Sequence, residues 1–115
     1  MATDIVKRNS LTYLQDANSL SISAQTNTNV CSLTLSPGVW YLTFYTRAGT
    51  SNSGSMNVSF YNLTDSRTVR TPMTNGGGCM TSAIETITSE TTVYGRVWFN
   101  VATTATSELN AIKIA

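Results

Sequence analysis

Histidine is missing from this sequence altogether, and cysteine, proline and charged residues are scarce: two, two and thirteen among 115. Without an imidazole the chain lacks the commonest general base and the commonest neutral metal ligand. The six carboxylates, Asp4, Asp16, Asp65, Glu85, Glu90 and Glu108, stand singly along the sequence, so no paired acid/base motif is encoded. Cys31 and Cys79 are far apart and have no histidine to complete a zinc set or to activate a thiolate. A calcium site on Asp65 or Glu90 would need an oxygen-rich loop that neither residue has around it. These absences predict a non-enzymatic protein with no metal and no cofactor.

Charge of one sign is also lacking. The formal balance is +1, with Lys7, Arg8, Arg47, Arg67, Arg70, Arg96 and Lys113 dispersed, which predicts no nucleic-acid partner. No apolar run approaches the roughly 20 residues of a membrane-spanning helix, and the opening MATDIVKRNS has no apolar segment of the secretory type. The expectation is a soluble protein made in the cytoplasm, without membrane insertion and with two free thiols. On that expectation the acceptor-like triplets at Asn57 and Asn62 carry no glycan.

What the chain does have is small polar residues: 14 Ser, 20 Thr and 10 Asn. Threonine is β-branched, while Ser and Asn compete for backbone hydrogen bonds in turns, so this composition favours strands and turns over helices. Residues Ser36 to Gly49 are the strongest local signal, a Pro-Gly turn followed by an aromatic and aliphatic run. Period-two patterns recur at Leu20, Ile22 and Ala24, at Leu33 and Leu35, and at Met56, Val58 and Phe60. Further strands are predicted around Val69, over Ala83 to Thr88, over Val93 to Val101 and over Leu109 to Ile114, with Gly76 to Gly78 as a loop. About eight strands with turn signals every ten or so residues predict an all-β protein, an antiparallel β-sandwich of the jelly-roll kind. The charged segment 1–18 reads as an N-terminal attachment arm or short stalk, and 19–115 as the head domain.

Two strands carry large rings on both faces. If Trp40, Leu42 and Phe44 point one way, Tyr41, Thr43 and Tyr45 point the other; Val93, Val97 and Phe99 likewise oppose Tyr94, Arg96 and Trp98. One face of each strand fills the sandwich core. The other calls for core packing of its own, a subunit interface or a ligand.

The stretch Gly38-Val39-Trp40-Tyr41-Leu42-Thr43-Phe44-Tyr45 resembles the glycine-aromatic strand of the trimeric jelly rolls related to tumour necrosis factor and the complement globular heads. Met56 to Thr64, followed by Asp65-Ser66, is similar to the next strand and turn of that module, and Met80 to Val101 to its penultimate hairpin. Leu109 to Ile114 looks like the closing strand met in the heads of bacteriophage fibres. Ser89-Glu90 stands where the family often has Gly-Asp, and the family's Gly-Phe ending is absent. The resemblance implies a homotrimer in which Tyr41, Tyr45, Tyr94 and Trp98 face neighbouring subunits. It further implies a bacteriophage virion component: a surface knob, capsid fibre or decoration protein, or a tail-fibre head. On this reading Ile5, Val6, Leu11 and Leu14 anchor the arm to other virion proteins. Ser51, Asn52, Asn75 and Gly77 then belong to distal loops that meet a host glycan or receptor. The rival expectation is a monomeric carbohydrate-binding module that stacks sugars on Trp98 and the tyrosines.

Overall fold

Folding the strand series in half between its fourth and fifth members generates the architecture of this protein. The structure, a computed structural model, describes residues 12–49, 54–72 and 78–115. Its strands are β1 (Tyr13–Ile22), β2 (Thr28–Leu35), β3 (Gly38–Ala48), β4 (Ser55–Tyr61), β5 (Val69–Pro72), β6 (Gly78–Ile87), β7 (Thr91–Phe99) and β8 (Thr103–Lys113). Antiparallel pairs form between β4 and β5, β3 and β6, β2 and β7, and β1 and β8, so the chain is a doubled ribbon. Wrapping that ribbon adds the pairs β3–β8 and β4–β7. Two four-stranded sheets result, sheet A in the order β1-β8-β3-β6 and sheet B in the order β2-β7-β4-β5. This is the expected jelly-roll sandwich, all-β among the described residues.

Alternation decides what lies between the sheets. Trp40, Leu42 and Phe44 of β3, Leu109 and Ala111 of β8, Met56 and Val58 of β4, and Val93, Val97 and Phe99 of β7 are fully sequestered. Each large side chain among them contributes about 1.5–3 kcal/mol by leaving water. The one polar atom this aromatic set brings inside is satisfied, because the Trp40 indole N–H donates to the Ser36 carbonyl at 2.8 Å. That bond bridges the Pro37-Gly38 turn, where Gly38 has φ +148°, a conformation L side chains rarely adopt. Along β2, a register shift between Asn29 and Cys31 lets Val30 and Cys31 both point inward before alternation resumes.

Three sequence expectations need correction. Strand β1 begins at Tyr13, so the expected boundary between arm and head at residue 18 falls inside a strand. Leu14, assigned to attachment, packs against the core. Its neighbours Asp16 and Asn18, within the segment expected to be the arm, close the open side of the sandwich. The Asp16 carboxylate accepts the Ser32 backbone N–H at 2.8 Å, and Asn18 Nδ2 donates to the Val30 carbonyl at 2.8 Å. Strand β8 begins at Thr103, well before Leu109, because its inward residues there are Thr103, Ala105 and Ser107. Finally, β6 and β7 do not pair as a hairpin: the turn at Ser89-Glu90 carries the chain from one sheet to the other.

Candidate assembly surfaces

The outward side chains of sheet A fall into register as rows. Tyr13 lies opposite Ile112, Ile112 opposite Tyr41, and Tyr41 opposite Ile84, so one row across all four strands is apolar. Two rows along, Ala17, Glu108, Tyr45 and Met80 are aligned in the same way. Ile84 is 65% exposed, Met80 59%, Tyr13 54%, and Tyr41 and Tyr45 about 40%. Five of the eight exposed large hydrophobic residues among the described residues therefore share this one sheet face, a concentration that soluble monomers avoid. Tyr13 donates its hydroxyl to Asn110 Oδ1 at 2.7 Å, and the Tyr45 ring lies across Gly78, so both rings are held in place along the sheet. Beside Tyr45, an open hollow of about 450 Å³ is flanked by Ala17, Arg47, Thr106 and Glu108.

Sheet B presents a different outer surface. Tyr61 pairs with Tyr94 and Tyr94 with Ser32; Ser59 pairs with Arg96 and Arg96 with Asn29; Trp98 pairs with Asn57 and Asn57 with Arg70. The Arg96 guanidinium sits 3.9 Å from the centre of the Tyr61 ring, and the Tyr61 and Tyr94 rings lie 5.9 Å apart. Arg96 Nε donates to Asn29 Oδ1 and Arg70 Nε to Asn57 Oδ1, both at 2.9 Å. Tyr61, Tyr94, Arg96 and Arg70 on this face thus have partners within the chain.

The four aromatic residues expected at a subunit interface consequently separate into two pairs. Tyr41 and Tyr45 belong to the outer face of sheet A, whereas Tyr94 and Trp98 lie on the outer face of sheet B. A single surface with all four rings requires the strands of Trp40 and Val93 to lie side by side, but β3 and β7 stand in opposite sheets. Ile5, Val6 and Leu11, and the loop residues Ser51, Asn52, Asn75 and Gly77, lie outside the described residues. Sequence reading missed Tyr13, Met80, Ile84 and Ile112. A usable signal existed in β6, where Cys79, Thr81, Ala83 and Ile87 are buried while Met80 and Ile84 alternate with them on the outside.

Both cysteines are free thiols and are buried, Cys31 beside β1 and Cys79 in β6. Burial pushes the Cys31 thiol up to about 11, the Asn18 amide lowers it and the Asp16 charge raises it further; burial also raises Cys79. Neither has the depressed pKa of a reactive nucleophile. Among the described residues no group of three or more His, Cys, Asp or Glu comes together in a way that would hold a metal ion.

No protein-family model matches the sequence, and no curated protein matches it. Among solved structures, the chain is similar to that of infectious bursal disease virus, Gx strain, with a TM-score of 0.62 and 10% identity over 90% of this chain. It is similar as well to the infectious bursal disease virus VP2 subviral particle, with a TM-score of 0.60 and 10% identity over 91% of this chain. A third likeness, to the Bacillus endospore appendages described as disulfide-linked pili, has a TM-score of 0.48 and 19% identity over 92% of each chain. The chain spans about a third of the length of the two viral proteins, 32% and 33%, and what it shares with them is the β-sandwich fold.

Proposed function

We propose that this chain is a non-enzymatic structural protein of a bacteriophage virion that assembles as a homotrimer through the outer face of sheet A. The observation that carries the reading is the apolar row Tyr13, Ile112, Tyr41 and Ile84, supplemented by Tyr45 and Met80, on a sheet face that no other described residue of the chain covers. Amphipathic rings and a methionine around an apolar centre are the composition that subunit interfaces concentrate. Sheet B, where Arg96 is held by the Tyr61 ring and by Asn29, is the face left turned outward.

Trimer stoichiometry and a knob on the virion surface follow from the resemblance of β3, β4 and β8 to trimeric jelly-roll heads. The fold shared with the viral structures supports a virion role. Residues Ile5, Val6 and Leu11 serve as the anchor to other virion proteins, and the loops around Ser51, Asn52, Asn75 and Gly77 meet the host.

Light scattering coupled to size exclusion tests the assembly directly. Wild-type protein at micromolar concentration is expected at three times the 12.4 kDa chain mass. Ile84→Lys, which changes a side chain that makes no core contact, is expected to shift the mass to that of the monomer while the fold persists by circular dichroism. A wild-type monomer, or a trimer indifferent to Ile84→Lys and Tyr41→Ser alike, would overturn the reading.

A further inference from the structure

The outer face of sheet B combines three features that point to a ligand. Its rings are an aromatic strip, with Tyr61, Tyr94 and Trp98 all projecting from the same side of β4 and β7. Its charge is of one sign: among the described residues, Arg96 and Arg70 project from this face and no carboxylate does. Asp16, which lines a hollow of about 270 Å³ beside Tyr94, is already engaged by the Ser32 N–H and the Asn18 amide.

Both guanidinium groups are also held in the same manner. Each gives its Nε–H to an asparagine Oδ1 on the neighbouring strand at 2.9 Å, and among the described residues neither forms an ion pair with a carboxylate. An arginine fixed through Nε keeps its terminal nitrogens in a set plane, with the paired N–H groups free for a carboxylate. Arg96 is further fixed by stacking on Tyr61. This preorganisation lowers the entropy that a binding partner would otherwise have to offset.

We propose that the outer face of sheet B binds carbohydrate bearing a carboxylate, a sialic or uronic acid, with the acid on Arg96 or Arg70 and a pyranose ring against Trp98 or Tyr94. Charge complementarity selects the acidic sugar over a neutral one, and flat ring faces accept the apolar side of a pyranose. Two cations over a short sheet face are too few for the counterion-driven grip on which nucleic-acid binding depends. This site is independent of the trimer, because it uses the opposite sheet.

The test is a titration of isotopically labelled full-length protein, followed by amide and indole resonances. The probes are 3′-sialyllactose and a trisaccharide of galacturonic acid, with lactose as the neutral control and a short oligothymidylate as the polyanion control. At least one acidic sugar is expected to bind at millimolar concentration and move the Trp98 indole signal, with lactose at least tenfold weaker. Arg96→Lys keeps the charge but loses the fork and is expected to weaken binding about tenfold; Arg70→Lys provides a second variant should the first disturb the fold. Ile84→Lys on the other sheet should leave sugar binding unchanged even where it breaks assembly. No shift with either acidic sugar, equal binding of lactose, or tighter binding of the oligothymidylate would each overturn the proposal.

Discussion

Gly95 of β7 lies directly against the ring of Phe44 from β3, across the middle of the sandwich. A Cβ built at Gly95 would collide with the ring edge at Cδ1 and Cε1, and Phe44 itself is wholly buried. The glycine is therefore a packing requirement, since its own φ is not of the positive kind. Gly95→Ala is expected to destabilise the fold by about 1–3 kcal/mol through overpacking. Urea unfolding at fixed protein concentration checks this, and the loss should shrink when Phe44→Leu is introduced beside it. Equal losses in both backgrounds would show that the ring is not what the glycine accommodates.

The seam between the sheets rests on two side chains of β1. Ser32 N–H points out of the edge strand β2 and finds the Asp16 carboxylate, while the Val30 carbonyl is taken by Asn18. Two backbone groups at the middle of the β2 edge are thereby withheld from a foreign strand, which hinders edge-to-edge pairing there. Asp16→Ala is expected to accelerate amide exchange at Ser32 by tenfold or more, with Leu42 in the centre of sheet A unchanged. Unaltered Ser32 exchange would mean that another group protects this amide.

Thr46 and Ser107 form a second polar contact, this one inside. Their hydroxyls meet at 2.9 Å with both residues buried, where β3 and β8 run side by side. Removing one hydroxyl leaves the other without its partner, and Thr46→Val or Ser107→Ala alone is expected to cost about 1–3 kcal/mol. The double replacement strands no hydroxyl, so its loss should be smaller than the sum of the two. Additive losses in the double-mutant cycle would show the pair to be uncoupled.

That buried hydroxyl pair explains where sequence reading succeeded and where it stopped. Strands whose inward residues are large, such as β3 with Trp40, Leu42 and Phe44 or β7 with Val93, Val97 and Phe99, were legible from alternation alone, and with them the sandwich class. The first half of β8 and most of β1 were not, because small or polar residues hold the inward positions there: Thr103 and Ser107 in β8, with Ser107 bonded to Thr46, and Asp16 and Asn18 in β1, bonded to each other and to the backbone of β2. Sheet membership was the larger gap. Alternation places a residue on one side of its own strand, but it does not say which strands lie side by side. Alternation alone therefore allows Tyr41, Tyr45, Tyr94 and Trp98 to share one surface, and the wrapped ribbon divides them between two. Pairing by halves, with β4 against β5 outward to β1 against β8, is a long-range property and leaves no local mark.

The Cys31 thiol links the seam to pH. Burial beside β1 raises its pKa from 9.0 to about 11, an effect that the Asn18 amide partly offsets and the Asp16 charge reinforces. In the unfolded chain the same thiol ionises at its ordinary value, so between these two values the unfolded state binds fewer protons than the folded one. Stability from this group is accordingly complete below about pH 9 and is lost as pH rises through the folded value. Urea midpoints of wild type and Cys31→Ala, measured from neutral pH upward, are expected to run parallel below that point and then converge. The other alkaline groups titrate in both proteins, which leaves the difference to Cys31. If the two curves stay parallel throughout, the thiol is not held in its neutral form by the fold.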